Sequence, residues 1–201
     1  CSSNFCYPLI ASLDGTIVGT GTAIIYGKTA WLAHIIVHHA HRNIGIGSSI
    51  TRSLINLVRK TPCRTILLIA TSLGEPVYKK FDFRLQTQYI FFDPGILPSI
   101  TNMSHILPLR SGDEEAFLKL DQTVSGEDRR KLLVEHFSEI HVIKEGRQIR
   151  AFYIPTLGEG LIVASDEDAG FEFMKLKYTR NKNFCIPIAN AAGVTFLTKN
   201  G

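Results

Sequence analysis

The segment Val37-His-His-Ala-His-Arg-Asn-Ile-Gly-Ile-Gly-Ser48 ends an apolar run and opens a helical period. Such a junction leaves the backbone N–H groups of the turn and of the first helical turn without intrahelical acceptors. They point outward together at the positive end of the helix dipole, a geometry that suits a phosphate or pyrophosphate. Gly45 and Gly47 permit close approach of an anion to the backbone, and Arg42 adds a positive charge. From the residues alone, an ordinary strand-to-helix turn that uses glycine for its backbone angles stays open. Other glycine motifs are excluded. After Gly45 and Gly47 comes Ser48-Ser49-Ile50, so the third glycine of a dinucleotide fingerprint is missing, and no Gly-Lys-Ser/Thr follows. There is no nucleophile elbow and no zinc-protease helix motif. His34, His38, His39 and His41 invite a metal reading. Their spacing is poor for chelation off a helix and no Cys or carboxylate is adjacent, so no metal is expected. A loop histidine bonded to backbone, or acting through water as a base, fits better.

The elements around this junction read as follows. Tyr7–Ser12 is a strand, followed by Asp14-Gly15, a hairpin signal. Thr16–Tyr26 is rich in β-branched residues and reads as the second strand. Gly19 and Gly21 lie inside it and need no ligand. Ala30–Val37 is the third, apolar enough to be covered on both faces. Ile46, Ile50, Leu54, Leu57 and Val58 then fall at helical spacing up to about residue 60, and Pro62 ends the run. A short strand over 64–70, a short helix over 75–81 with Pro76 in its first turn, and a strand over 84–92 complete the segment. Asp93-Pro-Gly-Ile-Leu-Pro98 reads as a linker.

A second segment opens with helices at about 112–121 and 126–137. A hairpin turning at Glu145-Gly146, an apolar strand ending at Leu161–Ala164, a helix over 166–178, a strand over 183–188 and a helix over 190–199 follow. The element order of the first segment recurs, which points to duplication of one α/β unit. The expected organisation is residues 1–95 as a first unit, 96–108 as linker and 109–201 as a second unit. The first unit lacks counterparts of the second unit's leading helices, and the second stops where the first continues into a strand. The native chain is therefore expected to extend beyond both ends.

The 201 residues are 45% hydrophobic and 20% charged, with 16 Gly and 8 Pro, which excludes collagen, low-complexity disorder and a charge-rich coil. No run approaches the roughly 18 apolar residues of a membrane helix. The net charge of +4 is spread along the chain. Arg129-Arg130-Lys131 follows Glu127-Asp128 and reads as a solvated helix face, so no nucleic-acid or membrane partner is expected. The four cysteines show no zinc or redox spacing, and reduced thiols in a cytoplasmic protein are the default.

Arg42-Asn-Ile-Gly-Ile-Gly47, after a strand ending in Val37, resembles the acyl-CoA pyrophosphate loop of the GNAT N-acetyltransferases, Arg/Gln-x-x-Gly-x-Gly/Ala. Tyr78-Lys-Lys-Phe-Asp-Phe83 resembles that superfamily's Tyr-x-x-x-Gly-Phe, with Asp82 in place of the usual glycine. The resemblance covers about residues 7–92. It implies tandem α/β (α+β) units, each a mixed, mainly antiparallel sheet with splayed central strands flanked by helices. It also implies acetyl-CoA as co-substrate, held by the exposed backbone of Ile35, Ile36 and Val37 and by the loop Arg42, Asn43, Ile44, Gly45, Ile46, Gly47 and Ser48. The Val37 N–H becomes the candidate oxyanion donor, and Tyr78 the candidate general acid for the CoA sulfur. The acceptor would be a small-molecule or peptide primary amine, attacked directly; the general base is not assigned.

The second segment resembles the C-terminal half of a two-unit GNAT subfamily through Leu120-Asp-Gln-Thr-Val-Ser-Gly126 with Arg129. Its turn, Ala164-Ser-Asp-Glu-Asp-Ala-Gly170, carries three carboxylates and no paired glycines. These suit helix capping and would repel a pyrophosphate. The second unit is therefore expected not to bind CoA but to shape the acceptor pocket or an oligomer contact; a homodimer stays open. The alternative reading is a non-catalytic acyl-CoA-binding or sensor protein of the same fold.

Overall fold

The computed structural model describes residues 4–92, 102–180 and 183–200. The chain divides into two compact units, Cys1–Arg84 and Leu85–Gly201. In the first, β1 (Cys6–Leu13), β2 (Thr16–Tyr26) and β3 (Thr29–Val37) form an antiparallel meander, and β4 (Thr65–Leu68) joins β3 in parallel. Asp14 and Gly15 both take positive φ, 48° and 79°, as a tight right-twisted hairpin demands. Helix α1 (Ile46–Val58) crosses the sheet. It buries Ile50, Leu54 and Val58, spaced four apart, against Ala23, Ala30 and Leu32. Gly19 and Gly21 make that contact close: a Cβ at Gly21 would lie 2.5 Å from Ile50 Cγ2 and 3.0 Å from Leu54 Cδ1. These strand glycines, which need no ligand, set the seat of α1. Helix α2 (Glu75–Lys79) packs on α1.

Two features open the edge of this sheet. The β3–β4 ladder runs only from Thr29↔Thr65 to Leu32↔Leu68, so among the described residues the β4 side of Ala33–Val37 has no strand partner. On the other side, Ala33 pairs with Thr22 and Ile36 with Thr20. His34 and Ile35 thus oppose Gly21 alone, a β-bulge, and His34 takes φ 52°.

In the second unit, β6 (Ile106–Pro108), β7 (His141–Glu145), β8 (Gln148–Ile154) and β9 (Leu161–Ala164) form an antiparallel sheet. Alternation along β8 sends Phe152 to a core with Phe117 and Leu133, and Tyr153 to one with Phe173 and Leu176. Helix α3 (Glu114–Ser125) supplies the first core with Phe117, and α5 (Glu167–Arg180) the second with Phe173. A short helix α4 (Arg130–Leu133), a 3-10 turn over Val134–Glu139 and a final helix α6 (Ala191–Asn200) complete the unit. The expected helix over 126–137 is thus broken into one turn of α-helix and a 3-10 stretch.

The strand expected to close the first unit, over 84–92, is shorter. As β5 (Tyr89–Phe92) it pairs antiparallel with β10 (Phe184–Pro187) of the second unit. The division therefore falls between Arg84 and Leu85 rather than after residue 95, because backbone pairing overrides the Pro/Gly boundary signal. Part of the expected linker is β6; residues 93–101 lie outside the described residues. β9 and β10 belong to separate ladders.

The motif Leu120-Asp…Gly126…Arg129 is structural. Asp121 is buried on α3, Gly126 closes the helix at φ 72°, and Arg129 grips Asp121 through both Nε and Nη2. Removing one partner of a fully buried pair costs about 3–5 kcal/mol. Arg129 keeps some access to water, so Asp121→Ala is expected to cost about 2–3 kcal/mol. Urea unfolding checks this, and an unchanged midpoint contradicts it.

Candidate active site

The strand β3 ends at Val37, and its last backbone groups are directed by pairing. Val37 faces Gly19 while the His38 N–H donates to Val18 O at 2.9 Å. This is the non-hydrogen-bonded register of an antiparallel pair, so the N–H and carbonyl of Val37 point away from β2, toward the open side. Arg42 uses that carbonyl: its Nε donates to Val37 O at 3.1 Å. The loop charge is thereby tied back to the strand end. Ile35 and Val37 turn their side chains into the α1 core, whereas Ile36 is exposed.

Between strand and helix, a 3-10 turn over His39–His41 is capped by His38, whose Nδ1 accepts from the Ala40 N–H at 3.4 Å. The His38 ring lies 4.3 Å from that of His39 and 5.7 Å from that of His41. Among the described residues no group of three His, Cys, Asp or Glu side chains is placed to hold a metal ion. Asn43 (φ 64°) and Gly45 (φ 91°) then take left-handed conformations. The reversal they make delivers the chain into α1 with no side-chain cap. The first intrahelical bond at this end is Ser49 N–H to Gly45 O, 3.0 Å. The N–H groups of Ile46, Gly47 and Ser48 are therefore left without an intrahelical acceptor. A Cβ at Gly47 would touch only Val37 Cγ2, at 3.7 Å, so strand end and helix start form one surface. Ile44 is exposed at the loop tip.

Tyr78 stands on α2, half-buried, its ring edge-on to Phe83 at 6.1 Å. Burial pushes its phenol pKa above the ordinary value, so the group holds its proton at neutral pH. Asp82, in the position where the superfamily has glycine, adopts φ 62°. The left-handed turn after α2 is kept because a short aspartate tolerates that region better than most side chains.

The corresponding turn of the second unit has the opposite electrostatics. Asp166 accepts from the Ala169 N–H at 3.0 Å and so caps α5 itself. Arg150 holds the same carboxylate through Nε and Nη2, at 3.0 and 2.7 Å. The Arg150 guanidinium keeps the Asp166 carboxyl below the usual carboxylate range. The helix end that could meet an anion is already filled by a carboxylate and its arginine.

Two features were not drawn from the sequence. Gly19 and Gly21 carry no signal for helix seating until α1 is placed over them. The His34 bulge depends on how β3 pairs with β2 and parts from β4, which no local pattern encodes.

Residues 1–83 match the model of the acetyltransferase (GNAT) family. Among solved structures, a proposed acetyltransferase of Pyrococcus horikoshii superposes with a TM-score of 0.82 at 21% identity, over 96% of this chain and 68% of that one. A predicted acetyltransferase of Clostridium acetobutylicum, solved with acetyl-CoA, is 25% identical over 41% of this chain and 60% of its own, with a TM-score of 0.39. Glucosamine-6-phosphate N-acetyltransferase of Arabidopsis thaliana is 16% identical over 42% of this chain and 63% of its own, with a TM-score of 0.40. No curated protein sequence matches the chain. The Pyrococcus structure shares the fold across both units; the other two overlap too little to carry an argument. The first unit thus carries the match to the acetyltransferase (GNAT) family model over residues 1–83, and the chain as a whole shares the fold of the Pyrococcus structure.

Proposed function

We propose that the first unit binds acetyl-CoA and transfers its acetyl group to a primary amine by direct attack. The observation that carries this is the junction of strand and helix. The Val37 N–H faces the open side of β3, and the N–H groups of Ile46, Gly47 and Ser48 are free of intrahelical partners a few residues on. The pyrophosphate would rest on the second set, with Arg42 beside it, and the pantetheine would lie along Ile35, Ile36 and Val37. The Val37 N–H would donate to the oxygen on which charge develops. Tyr78, kept protonated by burial, would return a proton to the departing sulfur.

The acceptor is a small-molecule amine or a peptide amine. Acetyl-CoA with an amine panel, read by thiol release and by the mass of the product, tests this reading. Amine-dependent thiol release with a product heavier by one acetyl group is expected. Tight acetyl-CoA binding with no turnover on any amine contradicts acetyl transfer and favours a CoA sensor. Among the described residues no helix is long and apolar enough to cross a membrane.

A further inference from the structure

Helix α1 covers one face of the first sheet. The other face presents a row of uncharged side chains that ends at the open edge of β3. Ile35 and Val37 turn into the core beneath α1, as do Leu9 and Ala11 of β1; the residues between them face the opposite way. Register sets Ile10, Thr20 and Ile36 side by side across β1, β2 and β3. Ile10 is 63% exposed and Ile36 57%. Between them, Thr20 donates its hydroxyl hydrogen to Leu9 O at 3.1 Å. The next row, Pro8, Thr22 and Ala33, is equally uncharged. A single exposed isoleucine is ordinary. An uncharged row that ends at the open edge of β3 is a binding surface in waiting.

The peptide bond between Ile36 and Val37 carries the Val37 N–H, so covalent connection alone puts the Ile36 side chain beside the candidate oxyanion donor. Helix α2, with Tyr78, packs on α1, so both helices lie on the covered face. An amine therefore has room to reach the thioester carbon from the face of Ile36. It meets no carboxylate there. The first unit holds three acidic residues: Asp14 at the hairpin tip, Glu75 paired with Lys79 at 2.7 Å, and Asp82 in the turn after α2. A polyamine or an amino sugar would find no partners on this row for its further charges or hydroxyls. We propose that the acceptor is a primary amine on an apolar body, and that Ile36 selects it; this rests on the acetyltransferase reading above. The body lies along Ile36 toward Thr20 and Ile10, with the nitrogen at Val37. The C–N bond forms as the C–S bond breaks, and the sulfur takes the phenol proton of Tyr78. The nitrogen loses its extra proton to solvent, which returns one to the phenolate.

The test compares kcat/KM at saturating acetyl-CoA for phenethylamine, a peptide beginning with phenylalanine, spermidine and glutamate. The wild type is expected to prefer one of the two apolar amines over spermidine and glutamate by about tenfold or more. Preference for phenethylamine makes the acceptor a small molecule, and preference for the peptide makes it a peptide N-terminus; either supports the proposal. Ile36→Thr keeps the β-branched shape that suits a strand and replaces an ethyl arm by a hydroxyl. It should shrink the preference by about tenfold, through KM for the amine. Ile36→Asp should shift the order toward spermidine, with a circular dichroism melt showing that each variant is folded. A wild type that prefers spermidine or glutamate, or a preference that Ile36→Thr leaves unmoved, overturns the proposal while leaving acetyl transfer intact. A wild type that binds acetyl-CoA yet acetylates none of these amines overturns both.

Discussion

Gly47→Glu is expected to abolish acetyl-CoA binding while leaving the fold in place. The position accepts a side chain: a Cβ there meets only Val37 Cγ2 at 3.7 Å, and the backbone is not in the left-handed region. A glutamate in the first turn of α1 is also favourable to the helix, since its charge faces the positive end of the dipole. The same carboxylate then occupies the N–H groups of residues 46–48 and repels the pyrophosphate. Two like charges about 4 Å apart at an effective dielectric near 20 cost about 4 kcal/mol, roughly a thousandfold in affinity. Calorimetric titration beside a circular dichroism melt separates the two effects. Undiminished affinity in a folded variant sinks the loop assignment.

Tyr78→Phe is expected to lower kcat by about 10²–10⁴-fold with little change in KM for acetyl-CoA. The phenol serves as an acid only while protonated. Its pKa is raised by burial, so wild-type activity should hold through neutral pH. It should decline only above the ordinary phenol range, and the variant should lack that alkaline limb. The ring's edge contact with Phe83 survives in phenylalanine, so stability should barely move. A variant with near wild-type kcat would make Tyr78 a packing residue and leave the thiolate to water.

The elements that position the site were legible in the sequence because local chemistry dictates them. Asp14-Gly15 forces the hairpin, the four-residue spacing of Ile46, Ile50, Leu54 and Val58 forces α1, and Gly45 permits the reversal before it. What escaped depends on partners distant in sequence. Residues 89–92 read as a strand from composition, but their pairing with Phe184–Pro187 is a long-range choice that no local pattern encodes. The bulge at His34 arises because β3 must fit β2 on one side while parting from β4 on the other. Asp82 in place of glycine looked like a departure from the family pattern, yet it takes the conformation glycine would have taken. In the second unit the acidic turn was legible as a cap. Arg150, which completes that cap from β8, was not.

The most direct test of the account is a crystal structure of the chain with CoA, paired with the titration stoichiometry. One CoA per chain is expected, its phosphates on the N–H groups of residues 46–48 beside Arg42 and its pantetheine along Ile35–Val37. The α5 end, where Asp166 and Arg150 fill the helix terminus, should stay free of ligand. Two equivalents per chain, or CoA bound near Asp166 instead of Gly47, would contradict the account.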